Sequence, residues 1–223
     1  MERRDTPSID HKSTLATLAL VAAVLSLVFL AASLQPPPPS SAELFTFAAR
    51  HRTAFGWFAS LVLAWSVLSI PLVVTSGTLL QPPGGTLAGI AQLLSAVGVL
   101  MLGFAVFAHT AALLSIVSAG GPARVEDAAY QAAFLSNLRF YLTDPGLMTW
   151  GLGQFLFGRI AWRSGILPNW VAVVGMVGGI AGLLTLAVYQ TGVLALVQLA
   201  SFTVWGFATA LLLFRNRKPR AQA

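Results

Sequence analysis

The sequence predicts an all-α, polytopic membrane protein: a bundle of six transmembrane helices, with a short amphipathic helix lying on the surface between helices three and four. Three observations carry this expectation. Five stretches (15–34, 55–80, 87–118, 170–189 and 193–214) run for 20 or more residues without an Asp, Glu, Lys or Arg, and a shorter sixth, 146–162, carries only Arg159. A helix rises ~1.5 Å per residue, so about 20 apolar residues cross the ~30 Å hydrocarbon core of a bilayer. The chain is 57% hydrophobic and only 9% charged, with a mean hydropathy of +0.79. A water-soluble domain is nearer a quarter charged, so these charges are too few to clothe a soluble core of this size. Finally, the cations gather at the ends of the apolar stretches, where membrane topology signals belong. Two short tails and five loops are left over, so residues 1–223 read as a single membrane domain.

The elements follow in order. Ser13 and Thr14 are candidate caps for helix one. Pro36–Pro39 ends it, because proline cannot continue a helix, and favours a stiff polyproline II spacer. Its 20 apolar residues are long for the core of a signal peptide, so it is retained as a membrane helix. Phe45, Phe47 and Phe55 beside Arg50 and Arg52 suggest a short interfacial helical turn. Helix two contains Pro71, a kink signal, and Trp57 with Trp65 two turns further on, nearly on the same face. Gln81-Pro-Pro-Gly-Gly85 reads as a tight turn. Helix three, 87–118, is longer than a bilayer core requires. It must tilt, protrude or break, with Gly98 and Gly103 as sites for bending.

Residues 119–144 form the longest polar connection, in which Tyr130, Phe134, Leu138 and Tyr141 recur at helical spacing. This is the expected surface helix. Asp144 then reads as the N-cap of helix four and Pro145 as its first residue. Helix five holds Gly175, Gly178, Gly179 and Gly182, two overlapping G-x-x-x-G pairs that let a neighbouring helix approach closely. They serve internal packing or, in the sharper alternative, homodimerisation. Gln190-Thr-Gly192 turns the chain into helix six.

With the amino terminus inside and six crossings, nine cations face the cytoplasm: Arg3, Arg4, Lys12, Arg159, Arg163, Arg215, Arg217, Lys218 and Arg220. Arg50, Arg52, Arg124 and Arg139 face the other side. The bias places both termini in the cytoplasm. The net charge of +6 therefore belongs to membrane flanks and not to a nucleic-acid surface.

Chemistry-bearing residues are few. There is no cysteine, which excludes disulfides and thiolate sites. No expected span contains Asp or Glu, which argues against proton pumping and cation transport. No hydrolase, metalloprotease or nucleotide-binding motif occurs, so no catalytic and no metal-ligating residue is assigned. The candidate binding residues are His109, Gln154 and Gln198 within the spans, and Arg139 with Asp144 at an external mouth. His109 either bonds within the bundle or ligates a porphyrin-type metal through a single axial bond. The residues specify no cofactor.

Arg163-Ser-Gly-Ile-Leu-Pro-Asn-Trp170, followed by Val-Ala-Val-Val-Gly175-Met-Val-Gly178, resembles a family of small bacterial six-helix membrane proteins grouped as domain of unknown function 4386. Those carry a basic-Ser-x-hydrophobic-Leu-Pro-x-Trp turn leading into a Gly-rich fifth helix. The resemblance implies a bacterial cytoplasmic-membrane fold and no reaction. The expectation is a non-enzymatic accessory or binding subunit for a lipid-soluble ligand or a membrane partner. Membrane lipids, a second copy or a larger membrane complex are its expected partners. A small solute permease and a single-histidine haem or pigment subunit are the alternatives.

Overall fold

The structure is a computed structural model that describes residues 11–33, 41–120, 125–185 and 191–215. The described chain is all-α: α1 (His11–Ser33), α2 (Ser41–Arg50), α3 (Arg52–Gly84), α4 (Thr86–Ser118), α5 (Val125–Ser164), α6 (Asn169–Leu184) and α7 (Thr191–Arg215). Helices α3, α4 and α7 are each long and apolar enough to cross a membrane, and α1 and α6 contribute the shorter apolar stretches Thr14–Val28 and Asn169–Leu184. The Pro36–Pro39 spacer, the turn at Gln190, and Arg3, Arg4, Arg124, Arg217, Lys218 and Arg220 lie outside the described residues.

From α3 onward, neighbours along the chain are neighbours in space. α3 packs on α4, α4 on α5, α5 on α6 and α6 on α7; α1 packs on both α7 and α3 and so closes the ring. Short connections enforce such antiparallel neighbours. Side chains from facing helices meet inside the ring. Trp65 of α3, Trp150 of α5 and Phe202 of α7 make edge-on contacts at centroid separations of 5.0–6.4 Å. Trp205 of α7 stacks on Phe157 of α5 at 6.2 Å. Each indole N–H in this apolar setting needs an acceptor. Trp65 Nε1 donates to Ser26 Oγ of α1 (2.7 Å) and Trp205 Nε1 to Ser76 Oγ of α3 (3.0 Å).

The structure corrects five local expectations. There is no separate surface helix between helices three and four: 125–164 is one helix of 40 residues, running through Pro145. Proline deletes one backbone bond, but the helix continues, packed closely on α4 at this point. Gly146 lies against the Gly98 carbonyl and Leu102 amide of α4, and a Cβ there would sit 3.1–3.2 Å from them. Asp144 is accordingly not an external cap; it is buried within α5. The expected turn at 81–85 shrinks to Gly85, with φ 51°, because α3 continues through Pro82 and Pro83 to Gly84. Ser13 and Thr14 lie inside α1 rather than before it. Trp57 and Trp65 part company: Trp57 is exposed, whereas Trp65 is fully buried, since eight residues advance a helix by about 80°.

The interfacial turn near residue 45 is α2. Its Phe45 and Ala48 pack with Leu113 of α4 and Ala128 and Leu135 of α5 into a second, smaller core beyond the main one. Arg52, at the start of α3, donates to Ser118 Oγ at the end of α4 and ties this end of the hairpin.

Glycine supplies the closest approaches. A Cβ on Gly98 would lie 2.2 Å from the Trp150 backbone nitrogen, whereas one on Gly89 of the same helix meets nothing within 4 Å. Gly98→Ala is expected to destabilise the protein by about 2 kcal/mol or more through overpacking. Gly89→Ala is expected to stabilise it by about 0.5–1 kcal/mol through helix propensity. Thermal unfolding of the two variants in detergent, followed by circular dichroism, checks both signs.

Candidate functional site

The seam between α5, α6 and α7 holds most of the candidate residues. The four glycines of α6 are buried and divide between its two neighbours. Gly179 faces α5, where a Cβ would strike the Phe155 backbone at 2.5 Å. Gly175, Gly178 and Gly182 face α7 at Trp205, Ser201 and Gln198. Helix α5 answers with its own glycines. Gly151 opposes Gly179 and Gly182, and Gly158 opposes Ala172 and Met176.

Two glutamines occupy this seam. Gln198 is fully buried, and its Nε2 donates to the Leu147 carbonyl of α5 at 3.0 Å. That bond matters locally because it crosses from α7 to the first turn after Pro145. Gln154 lies two turns further along α5 and is 3% exposed, with Nε2 pressed towards Gly178. Among the described residues neither its Nε2 nor its Oε1 has a hydrogen-bond partner, and the same holds for Gln198 Oε1. An unmatched amide in an apolar interior costs a few kcal/mol. Gln154 thus leaves both ends of a buried amide unmatched, a larger cost than the single unpaired hydroxyls of Ser69, Ser95 and Thr143.

The other candidates lie elsewhere. His109 of α4 is half-buried, and its Nδ1 is 3.1 Å from the Leu135 carbonyl of α5. A carbonyl can only accept, so Nδ1 carries the proton. Leu135 is about 28 Å along α5 from Gln154 at 1.5 Å per residue, so His109 does not share a site with the glutamines. Asp144 is buried at the step between the two halves of α5. Arg139 lies within α5, but its side chain falls outside the described residues. Among the described residues, no cluster of three or more His, Asp or Glu side chains is placed to hold a metal.

Two concavities open at the opposite end of the molecule, which the sequence reading did not single out. The larger, of about 840 Å³, lies between the turn 165–171 and the last turns of α7. Its wall is apolar (Ile166, Leu167, Trp170, Phe207, Leu211), and Arg215 stands at its end. Leu167 and Val171 anchor the turn in the core, while Trp170 and Leu211 remain exposed. The smaller, of about 260 Å³, is bounded by Pro83, Gly84 and Leu87 at the α3–α4 hinge and by Arg159, Arg163 and Ser164 on α5. The sequence signals were present: Leu-Pro-Asn-Trp170 was legible as a helix-seating turn, and Arg159 and Arg163 stand at i, i+4 spacing on one helix face. What it lacked was the partner wall contributed by a distant helix.

The two glutamines predict opposite responses to the same substitution. Gln154→Met removes an unmatched amide and is expected to stabilise the fold by about 1–2 kcal/mol. Gln198→Met deletes a helix–helix bond to the Leu147 carbonyl, which keeps its own helical partner in α5, and is expected to lower stability by about 1 kcal/mol. Melting curves of both variants in one detergent test the contrast.

Comparison with known proteins identifies a family and adds no activity. No curated protein and no solved structure matches the chain. Residues 13–216, nearly its whole length, match a family described as a domain of unknown function, DUF4386, and the chain belongs to that family.

Proposed function

We propose that the protein is a non-enzymatic integral membrane protein that crosses a bacterial cytoplasmic membrane six times and holds a lipid-soluble amphiphile in the groove between the 165–171 turn and α7. The observation that carries this reading is the groove: about 840 Å³, walled by apolar and aromatic side chains, with one cation, Arg215, at its end. Apolar walls with one placed polar group are the usual form of a site for an amphiphilic ligand.

The crossing of α5 is the span that hydropathy alone does not mark. Asp144 and Arg163 are separated by about 28 Å of helix, close to the ~30 Å thickness of a hydrocarbon core. The segment between them fits one crossing, and the first half of α5 then projects outside, braced by α2 and the end of α4. Arg159, Arg163 and Arg215 share one end, which supports a cytoplasmic placement of that end.

A solute permease is the second reading, favoured by the unmatched amide of Gln154 and the unmatched Oε1 of Gln198. It places a polar path along the α5–α6–α7 seam, and the glycine packing there must open for it to operate.

Ala208, on the groove wall, separates the readings. Ala208→Trp fills the groove and is expected to reduce co-purifying amphiphile about tenfold or more in native mass spectra from mild detergent, with the fold retained. Wild-type protein that emerges as a bare chain, or equal retention in the variant, contradicts the groove reading. The sidedness has its own check: a tag placed after residue 223 is expected to be inaccessible to a membrane-impermeant reagent in intact cells and accessible after lysis.

A further inference from the structure

The smaller concavity carries a different chemistry from the groove. Its floor is the α3–α4 hinge, where Gly85 reverses the chain within one residue. One wall is the last two turns of α5, which place Arg159 and Arg163 at i, i+4 spacing on the cavity. Both arginines are exposed. Among the described residues, neither has an ion-pair or hydrogen-bond partner. The sequence explains the lack of a carboxylate nearby. From Pro145 to Ala223 there is no Asp or Glu, and no acidic residue occurs in α3 or α4.

The local dipoles set the simplest alternative. Arg163 stands in the last turn of α5, where a cation is favoured by the helix carbonyl end. That accounts for one arginine at one helix end. It does not account for a second guanidinium one turn deeper, nor for both facing a concave space closed by another helix pair. Leu87, in the first turn of α4, closes the space on the hinge side. Two forked cations bordering about 260 Å³ match the size and charge of a phosphate with its ester substituents.

We infer that the Arg159–Arg163 pocket between the α3–α4 hinge and the end of α5 binds a phosphate ester, the headgroup of an anionic membrane phospholipid being its source. The site is separate from the apolar groove: the two lie on either side of the turn that follows Ser164 and share no lining residue. A headgroup seated here is anchored to three helices at once and couples the hinge to α5. Basic pockets between helices at the cytoplasmic face are a recurring solution for anionic headgroups.

The test uses the full chain reconstituted in nanodiscs of phosphatidylcholine containing a minority of phosphatidylglycerol. Retained lipid is counted after transfer to mild detergent. The wild type is expected to enrich phosphatidylglycerol about tenfold or more over its share of the disc. R159Q/R163Q is expected to lose that enrichment while keeping its circular dichroism and melting curve. R50Q, a control at an exposed cation of α2 that lines neither concavity, is expected to keep it. Addition of glycerol 3-phosphate separates the sources. No displacement supports the lipid headgroup; displacement at micromolar concentration overturns the lipid assignment in favour of a free phosphate ester. No enrichment in the wild type, or equal enrichment in R159Q/R163Q, overturns the site. If R159Q/R163Q melts early, R159K/R163K serves instead: it keeps the charge but not the fork and is expected to retain only part of the enrichment. Ala208→Trp leaves this pocket untouched, so failure of the groove reading and failure of this one are distinguishable.

Discussion

Backbone-to-backbone contact along α5 is the constraint on which the rest of the structure depends. At Gly146 and Gly153 the helix meets α4, with Gly98 reciprocating against Trp150; at Gly151 and Gly158 it meets α6, with Gly179 reciprocating against Phe155. The absence of side chains on both sides lets α5 sit clamped between two neighbours. Where lipid removes the hydrophobic drive between helices, close packing of this kind is a principal source of association. It also explains how a 40-residue helix survives Pro145. The single lost backbone bond is minor beside the two packed faces on either side of it.

Several interior hydroxyls bond locally, and a few long-range bonds define which helices meet. Hydroxyls at Ser26, Thr75, Ser201 and Thr203 each donate to the carbonyl four residues back. These bonds stay within one helix and carry no information about neighbours. The bonds from Trp65 to Ser26, Trp205 to Ser76 and Gln198 to Leu147 do carry it, because each joins two helices and leaves a buried polar atom unmatched if the register slips. Buried Ser69 Oγ, Ser95 Oγ and Thr143 Oγ1 are unpaired among the described residues, and Gln154, on the glycine seam, leaves both ends of its amide unmatched.

Charge is arranged with the same economy. Every acidic residue lies at or before Asp144, and the cations after it face no carboxylate in their own half of the chain. Two of them border a concave space and a third borders the apolar groove. One end of the molecule therefore combines apolar volume with uncompensated positive charge, the complement of an anionic amphiphile. The opposite end is built from α2 and the projecting parts of α4 and α5, held by Phe45, Leu113 and Leu135.

Some of this was legible in the residues. The helical class, the family and the close-packing glycines of α6 follow from composition, a turn motif and spacing, all of which are properties of contiguous sequence. The site was less legible. Gln154 and Gln198 were visible as polar residues in apolar stretches, but that one is bonded across the seam and the other is unmatched depends on how α5 and α7 align. Arg159 and Arg163 read as ordinary flanking cations until the α3–α4 hinge supplied the facing wall. Asp144-Pro145 read as the start of a helix because that pair caps helices when nothing else intervenes; contact with α4 overrode it. By itself, then, the chain determined which segments are apolar and helical, since those depend on each residue's own free energy of transfer and backbone preference. Only the tertiary structure decided which helix ends and which helix continues, which amide is paired and which cation faces a cavity, because those outcomes are settled by atoms distant in sequence that arrive from a neighbouring helix.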